Sequence, residues 1–215
     1  MRLKNFFITL LICLSLCAPT SAEIVEDSNI AIMDLGTHVG AVPFDINIFN
    51  AGKAASEYLI QHLVKYGKFN VMDRTLVEEK IRASNLNTTG LIDPDTAKKI
   101  GELLGADYLV YGNVNDVTLS ETGAGTAGVG LDVSTITYKA HLIVRVMEVE
   151  TGKIISAAKG EGKSKASFVR VRGGQIVTLE FGKVKVTQDS VHNALQQASF
   201  QTVDILIKRL YGKQK

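Results

Sequence analysis

Asp93-Pro94-Asp95-Thr96-Ala97-Lys98-Lys99-Ile100-Gly101-Glu102-Leu103-Leu104-Gly105-Ala106-Asp107-Tyr108-Leu109-Val110-Tyr111-Gly112 packs a capped helix, its stop and a buried strand into one stretch. Asp93 stands where a side-chain oxygen can accept from the free amides of a first helical turn. Pro94 suits the first helical position, where its missing N–H has no partner in any case. Ala97, Ile100, Leu103 and Leu104 recur at helical spacing and predict the apolar face. Gly105 ends the helix, and the apolar run that follows predicts a strand.

Toward the amino end the alternation of elements continues. Ile30 to Leu35 is a short apolar run bounded by Gly36 and reads as a buried strand. Asn50 is placed to cap a helix whose apolar positions are Ala51, Ala54, Ala55, Tyr58, Leu59, His62, Leu63 and Tyr66, with Gly67 as its stop. Phe69 to Met72 predicts a second short strand. Thr75 and Glu78 have the spacing of a capping box and predict a helix to about Ser84, followed by a loop from Asn85 to Ile92. The order strand, helix, strand, helix, helix, strand predicts an α/β fold: a single domain with an open mixed sheet flanked by helices.

Toward the carboxyl end the pattern changes to period two. Residues Gly123 to Gly130 are glycine-rich. Lys139 to Val149 predicts a long strand, turned by Thr151-Gly152 into a partner at Ile154 to Glu161. Val129, Leu131 and Val133 alternate. So do Val169 to Arg172 and, beyond Gly173-Gly174, Val177, Leu179 and Phe181, which predicts a hairpin. A last helix runs from about Asp189 to Tyr211. Val191, Ala194, Leu195, Ala198, Thr202 and Ile205 share one side of it, and Phe200, Val203, Ile207 and Leu210 share another. A helix apolar on two faces is buried on both or meets a partner. Phe200, Val203, Ile207 and Leu210 are therefore the candidates for a contact between subunits of a homo-oligomer.

The amino-terminal segment reads as an export signal. Arg2 and Lys4 precede an apolar run from Phe6 to Ala18, about thirteen residues, a secretory length rather than the ~20 of a spanning helix. Small residues Thr20-Ser21-Ala22 follow, and cleavage after Ala22 is expected, leaving residues 23–215 as one domain. The alternative is a lipid on Cys17, but Leu16 stands where a small residue is usual. Both cysteines, Cys13 and Cys17, lie in this segment, so the expected mature chain forms neither a disulfide nor a thiolate metal site. Removing Arg2 and Lys4 leaves 22 basic residues against 22 acidic ones, and no bulk charge favours nucleic acid.

Catalytic and cofactor motifs fail on context. Gly123-Ala124-Gly125-Thr126-Ala127-Gly128 matches a dinucleotide-binding spacing, but the mechanism needs a helix amino end directly after it, and the residues that follow alternate as a strand. Gly162-Lys163-Ser164 resembles the end of a phosphate loop, yet Ala157 replaces the required first glycine and the segment alternates as a strand. His38, His62, His141 and His192 have no paired spacing, and His62 on an apolar helix face reads as a core histidine. No catalytic, metal or cofactor residue is assigned, and the chain is not expected to be an enzyme.

The stretch from Gly90 to Gly112, with Phe69-Asn70-Val71-Met72-Asp73-Arg74 before it and Val144 to Ile155 after it, resembles the curli secretion channel family (CsgG/HfaB). The resemblance runs over nearly all of the expected mature chain. It implies an exported protein of the periplasm or the periplasmic face of the outer membrane. It also implies an α/β domain with two β-hairpin insertions, at about 117–137 and 166–186, that join those of other subunits into an outer-membrane barrel exporting unfolded polypeptides. By the same resemblance the channel is narrowed by residues 36–50, with Phe44, Asn47 and Phe49 as the candidates. The alternative role is a soluble periplasmic adaptor that docks on another envelope protein, since one fold serves several functions. In either role the partners are copies of the chain and other secreted or envelope proteins.

Overall fold

The computed structural model describes residues 27–37, 50–86, 92–125, 131–171 and 183–211. The strands are β1 (Asn29–Ile32), β2 (Gly36–Thr37), β3 (Asn70–Val71), β4 (Tyr108–Gly125), β5 (Leu131–Glu148) and β6 (Lys153–Val171). The helices are α1 (Ala51–Tyr66), α2 (Arg74–Ala83), α3 (Pro94–Leu104) and α4 (Lys183–Tyr211).

The helix signals are realised with two exceptions. The Asp93 carboxylate accepts from the Thr96 amide at 3.0 Å, and Gly105 closes α3 in the left-handed region at φ 70°. At α2 the cap is Asp73, which accepts from the Leu76 amide at 3.2 Å, so Thr75 lies inside the helix and forms no capping box. Two side chains compete for that helix start, and aspartate ranks above threonine as a cap. Asn50 precedes α1 but makes no side-chain cap bond. On α3, Ala97, Ile100 and Leu104 are buried while Leu103 is 42% exposed; Gly101 takes the inward place and packs against Val149.

The sheet is open and mixed, in the order β3-β1-β4-β5-β6, with β2 also paired to β4. β3, β1 and β4 run parallel, and β4, β5 and β6 antiparallel. Parallel pairing requires crossovers, and the helices supply them. α1 links β1 to β3 on one face, while α2 and α3 link β3 to β4 on the other. One core joins the first face to α1 and α4, through Leu59, Leu63, Val110, Val144, Leu195 and Leu206 among others. A smaller core beneath α2 and α3 holds Val77, Ala97, Ile100, Leu109, Tyr111 and Met147.

The antiparallel part is longer than its hydrophobic pattern predicts. β4 and β5 have 18 residues each and β6 has 19, or about 60 Å at ~3.3 Å per residue. The region of the first expected hairpin, 117–137, lies in the β4–β5 pair, whose register runs from Val117↔Ala140 to Gly125↔Asp132. Of the second, 166–186, residues 166–171 belong to β6, residues 172–182 lie outside the described residues, and residues 183–186 are helical. Lys183-Val184-Lys185-Val186 alternates as a strand does. Extending an established helix is far easier than nucleating one, so α4 begins earlier than Asp189.

Candidate functional site

The β4–β5–β6 ribbon has one covered and one open face. On β6 the residues facing α4 are Ala158, Gly160, Gly162 and Ala166. Glycine is required at two of these places: a Cβ on Gly160 would collide with Ala198 O and Thr202, and one on Gly162 with Ala194 O. The helix backbone therefore lies almost against the strand. α4 also guards the outer edge of β6. Gln201 Oε1 accepts from the Glu161 amide at 2.5 Å, Gln197 Oε1 accepts from the Lys163 amide at 3.3 Å, and Arg209 donates to the Ala157 carbonyl. Side chains here satisfy edge groups that a further strand would otherwise pair with.

The open face is polar. Its rows, read across β4, β5 and β6, are Asp116–His141–Glu161, Thr118–Lys139–Lys163, Ser120–Thr137–Lys165 and Thr122–Thr135–Ser167. In the first row His141 lies 3.9 Å from Asp116 and 3.7 Å from Glu161, and Glu161 also pairs with Lys159 at 3.0 Å. In the last row Thr135 and Ser167 share a 2.9 Å hydrogen bond. At the opposite end of the sheet an open cleft of about 590 Å³ is lined by Asp27, Asp107, Glu148 and Glu150.

Behind the covered face, α1 and α4 meet along a polar seam. Asp204 accepts from Tyr66 at 2.5 Å and lies 3.0 Å from His62 Nε2, and the His62 ring stacks on Phe200 with centroids 4.3 Å apart. The Tyr66 hydrogen bond, then that of His62, holds the Asp204 carboxyl below its ordinary range against the opposing effect of burial. Tyr58 bonds His192 at 3.1 Å, and Ser199 donates to Ala55 O at 3.2 Å.

A third cluster stands at the carboxyl end of β1. The Arg74 guanidinium meets Asp34 at 2.6 Å, Glu78 at 2.8 Å and Glu57. Burial pushes the Asp34 carboxyl up more than Arg74 draws it down. Burial likewise works against the Arg74 charge, but the Glu57 hydrogen bond and the three carboxylates raise its pKa overall. The Glu57 hydrogen bond is the largest favourable contribution to the Arg74 charge, followed by the charge of Asp34. Beside it, Ser56 Oγ accepts from the Leu35 amide at 2.9 Å and donates toward Met33 O and Gly52 O, which ties the end of β1 to the start of α1. Residues 38–49, which follow β2 and precede α1 in the chain, lie outside the described residues. No group of three or more His, Cys, Asp or Glu side chains suited to a metal ion occurs among the described residues.

The family profile described as "Curli production assembly/transport component CsgG" matches residues 19–214. The chain belongs to the CsgG family. A relative from Neisseria meningitidis serogroup B, named as a lipoprotein, is 26% identical over 167 residues, covering 68% of this chain and 69% of its own. Among solved structures, the LpoB C-terminal domain from Escherichia coli is 18% identical, with a TM-score of 0.44 over 71% of this chain and 92% of that one. A PelC dodecamer from Paraburkholderia phytofirmans is 12% identical, with a TM-score of 0.35 over 89% of this chain and 94% of that one.

In this CsgG-family chain the residues expected to narrow a channel, Phe44, Asn47 and Phe49, lie outside the described residues. The stripe on the last helix is described. Val203 is 0% exposed and Leu210 8%, Phe200 stacks on His62, and Ile207 is partly buried against the same core. Of the two explanations for a helix apolar on both sides, burial within one domain accounts for Val203 and Leu210, because α4 packs against both β5–β6 and α1. His62 is a partnered histidine of that seam. The Arg74 cluster and the lysines of the open face were not singled out from the sequence. Arg74 entered only as the last residue of the family-resembling stretch Phe69 to Arg74, and Lys163 only within a rejected phosphate-loop motif.

Proposed function

We propose that the chain is an exported envelope protein that works by contact with other polypeptides, as a subunit of an oligomeric outer-membrane channel for unfolded, curli-type polypeptides. It carries no catalytic step in this reading. The observation that supports it, beyond family membership, is the β4–β5–β6 ribbon, whose pairing continues from the core residue Val117 outward to Gly125 and from Ala166 to Val171. The stretch of β4 from Val117 to Gly125 has the length of a barrel strand, where about 9–11 residues cross the apolar band, while the described stretch of β6 from Ala166 to Val171 covers part of that length. In the same reading Phe44, Asn47 and Phe49 narrow the channel, and the ties through Ser56 and Arg74 hold the base of their loop. Of the α4 stripe, Val203 and Leu210 are buried within the domain, which leaves Phe200 and Ile207 as the residues able to reach a neighbouring subunit.

A second reading, a soluble periplasmic adaptor docking on another envelope complex, is favoured by one observation. Ser134, Ile136, Tyr138 and Ala166, on the inward face of the ribbon, are buried by the chain itself. Fractionation followed by imaging in detergent separates the two. The channel reading expects the chain in the outer membrane, resistant to alkaline extraction, and ring-shaped particles. A chain found only in the soluble periplasmic fraction as a monomer overturns it in favour of the adaptor.

For export we propose cleavage after Ala22. The intact mass of the purified chain should begin at Glu23. The meningococcal relative's name makes Cys17 the alternative, and an acylated chain beginning there would refute cleavage at Ala22.

A further inference from the structure

We infer that the open face of the ribbon around Lys139, Lys163 and Lys165 docks an acidic, extended segment of a polypeptide partner. Only the class of partner rests on the polypeptide-handling role proposed above. Register places Lys139 directly opposite Lys163, with Thr118 on the other side of Lys139 and Thr137 opposite Lys165. Side chains directly opposite in a sheet stand about 5 Å apart at Cβ, and like charges so placed repel. Glu161 attracts Lys163 through space without forming an ion pair with it, so the repulsion is relieved only in part. No carboxylate lies within ion-pairing distance of the three ammonium groups among the described residues. The acids on the face, Asp116 and Glu161, turn to His141 and Lys159 one row away. Three cations with hydroxyl donors between them thus form a patch whose missing component is an anion.

The geometry favours an extended polypeptide over a membrane. Peripheral membrane binding combines basic charge with buried apolar area. The exposed large apolar residues among those described are Val64, Tyr66, Leu76, Leu103 and Ile154. Four lie on helices, and Ile154 is at the far end of β6, opposite Met147. The patch itself offers no apolar anchor. Lys163 and Lys165 are two residues apart on one strand, about 6.6 Å, the repeat at which an extended chain presents alternate side chains to one side. A segment with acidic residues at every second position matches that repeat, and Thr118, Ser120 and Thr137 can donate to its remaining acceptors. The carboxylates of the cleft at the other end of the sheet repel such a segment and bias where it lies.

The test uses the full mature chain and a fluorescein-labelled peptide of alternating Glu and Ser, with a Gln-Ser peptide as control, followed by anisotropy at low and at high salt. The wild type should bind the acidic peptide, less tightly in high salt, and should ignore the neutral one. Lys139→Gln, Lys163→Gln and Lys165→Gln together should weaken binding about tenfold while leaving the melting temperature unchanged or raised, since repulsion is removed. Lys65→Gln, Lys99→Gln and Lys208→Gln, three exposed lysines on helices, should leave binding unchanged. No binding by the wild type, or equal loss in both triple variants, overturns the inference. So does preferential binding, at the same lysines, of heparin or of phosphatidylglycerol vesicles, which would name a polysaccharide or a membrane instead. If peptide binding fails while detergent rings form, only this inference falls. If the chain binds the peptide yet stays soluble and monomeric, only the channel reading falls.

Discussion

On the side of β6 that meets α4 the residues are Ala158, Gly160, Gly162 and Ala166; on the other side of the same strand they are Lys159, Glu161, Lys163 and Lys165. The first set is chosen for size, because a helix backbone passes close by and each added carbon has somewhere to collide. The second lies on the open face, exposed, and is chosen for charge. Helix docking here depends on absent side chains as much as on apolar ones. A strand that reads as weakly hydrophobic can therefore be closely packed.

The contrast is broken most severely from the helix side. Val203→Asp with Ile207→Asp places a carboxylate at a position that is 0% exposed, at a cost of about 5 kcal/mol or more, comparable with the whole stability of a domain. Circular dichroism should show no cooperative melting. A folded variant that sediments as a smaller species would instead restore the stripe as a subunit contact. A neighbouring pair of substitutions sharpens the comparison. Gly162→Val drives a side chain into Ala194 O and should lower stability by about 3 kcal/mol in urea melts, while Lys163→Val, one residue on but facing out, should stay within about 0.5 kcal/mol. Equal effects would mean that α4 does not pack as described.

The polar seam behind the covered face carries a smaller effect. Asp204→Asn should cost about 0.5–1 kcal/mol, a modest figure because the carboxylate is partly exposed and screened. The Asp204 carboxyl is held low in the folded chain. Its contribution is therefore present above the ordinary value of 3.8 and is lost as the pH falls through the lower folded value. The stability gap between wild type and variant should be steady at neutral pH and close in acid; a gap that persists in acid would show that charge is not the cause. The smallest change in stability is expected from Gln197→Ala with Gln201→Ala, within about 1 kcal/mol. Its signature is self-association in analytical ultracentrifugation, because edge amides of β6 are left bare.

Elements built on local signals were legible in the sequence. Asp93-Pro94, Gly67 and Gly105 mark α1 and α3 by chemistry that acts within a few residues, and β1 lies in an apolar run, whereas β2, only Gly36-Thr37, carries no such signal. The long strands were legible only in pieces. Their inward positions include Ser134, Gly160 and Gly162, which carry no hydrophobic signal, so hydropathy breaks β5 and β6 where packing does not. The lysine patch was hidden for a different reason. Counting back from the Thr151-Gly152 turn places Lys139 opposite Gly162. A register shift between Val146 and Met147 moves it opposite Lys163, and such a bulge leaves no trace in hydropathy. The last helix offered two faces and no means of deciding what covered the second; that answer lay in α1, far away in sequence.

Because α4 both covers the inward face of the ribbon and guards its edge, the order of synthesis matters. The chain is made from its amino end, and the 29 residues of α4 are made after the three strands they cover. Until they arrive, β4, β5 and β6 can pair, but Ile136, Tyr138 and Leu142 have no cover on that face and the amides of Glu161 and Lys163 have no partner from α4. The growing chain is thus at its stickiest after β6 and before α4, the stage at which a holding chaperone would have most to protect. A truncation that removes α4 should not yield a smaller version of the domain; it should yield a ribbon ready to pair with its own kind.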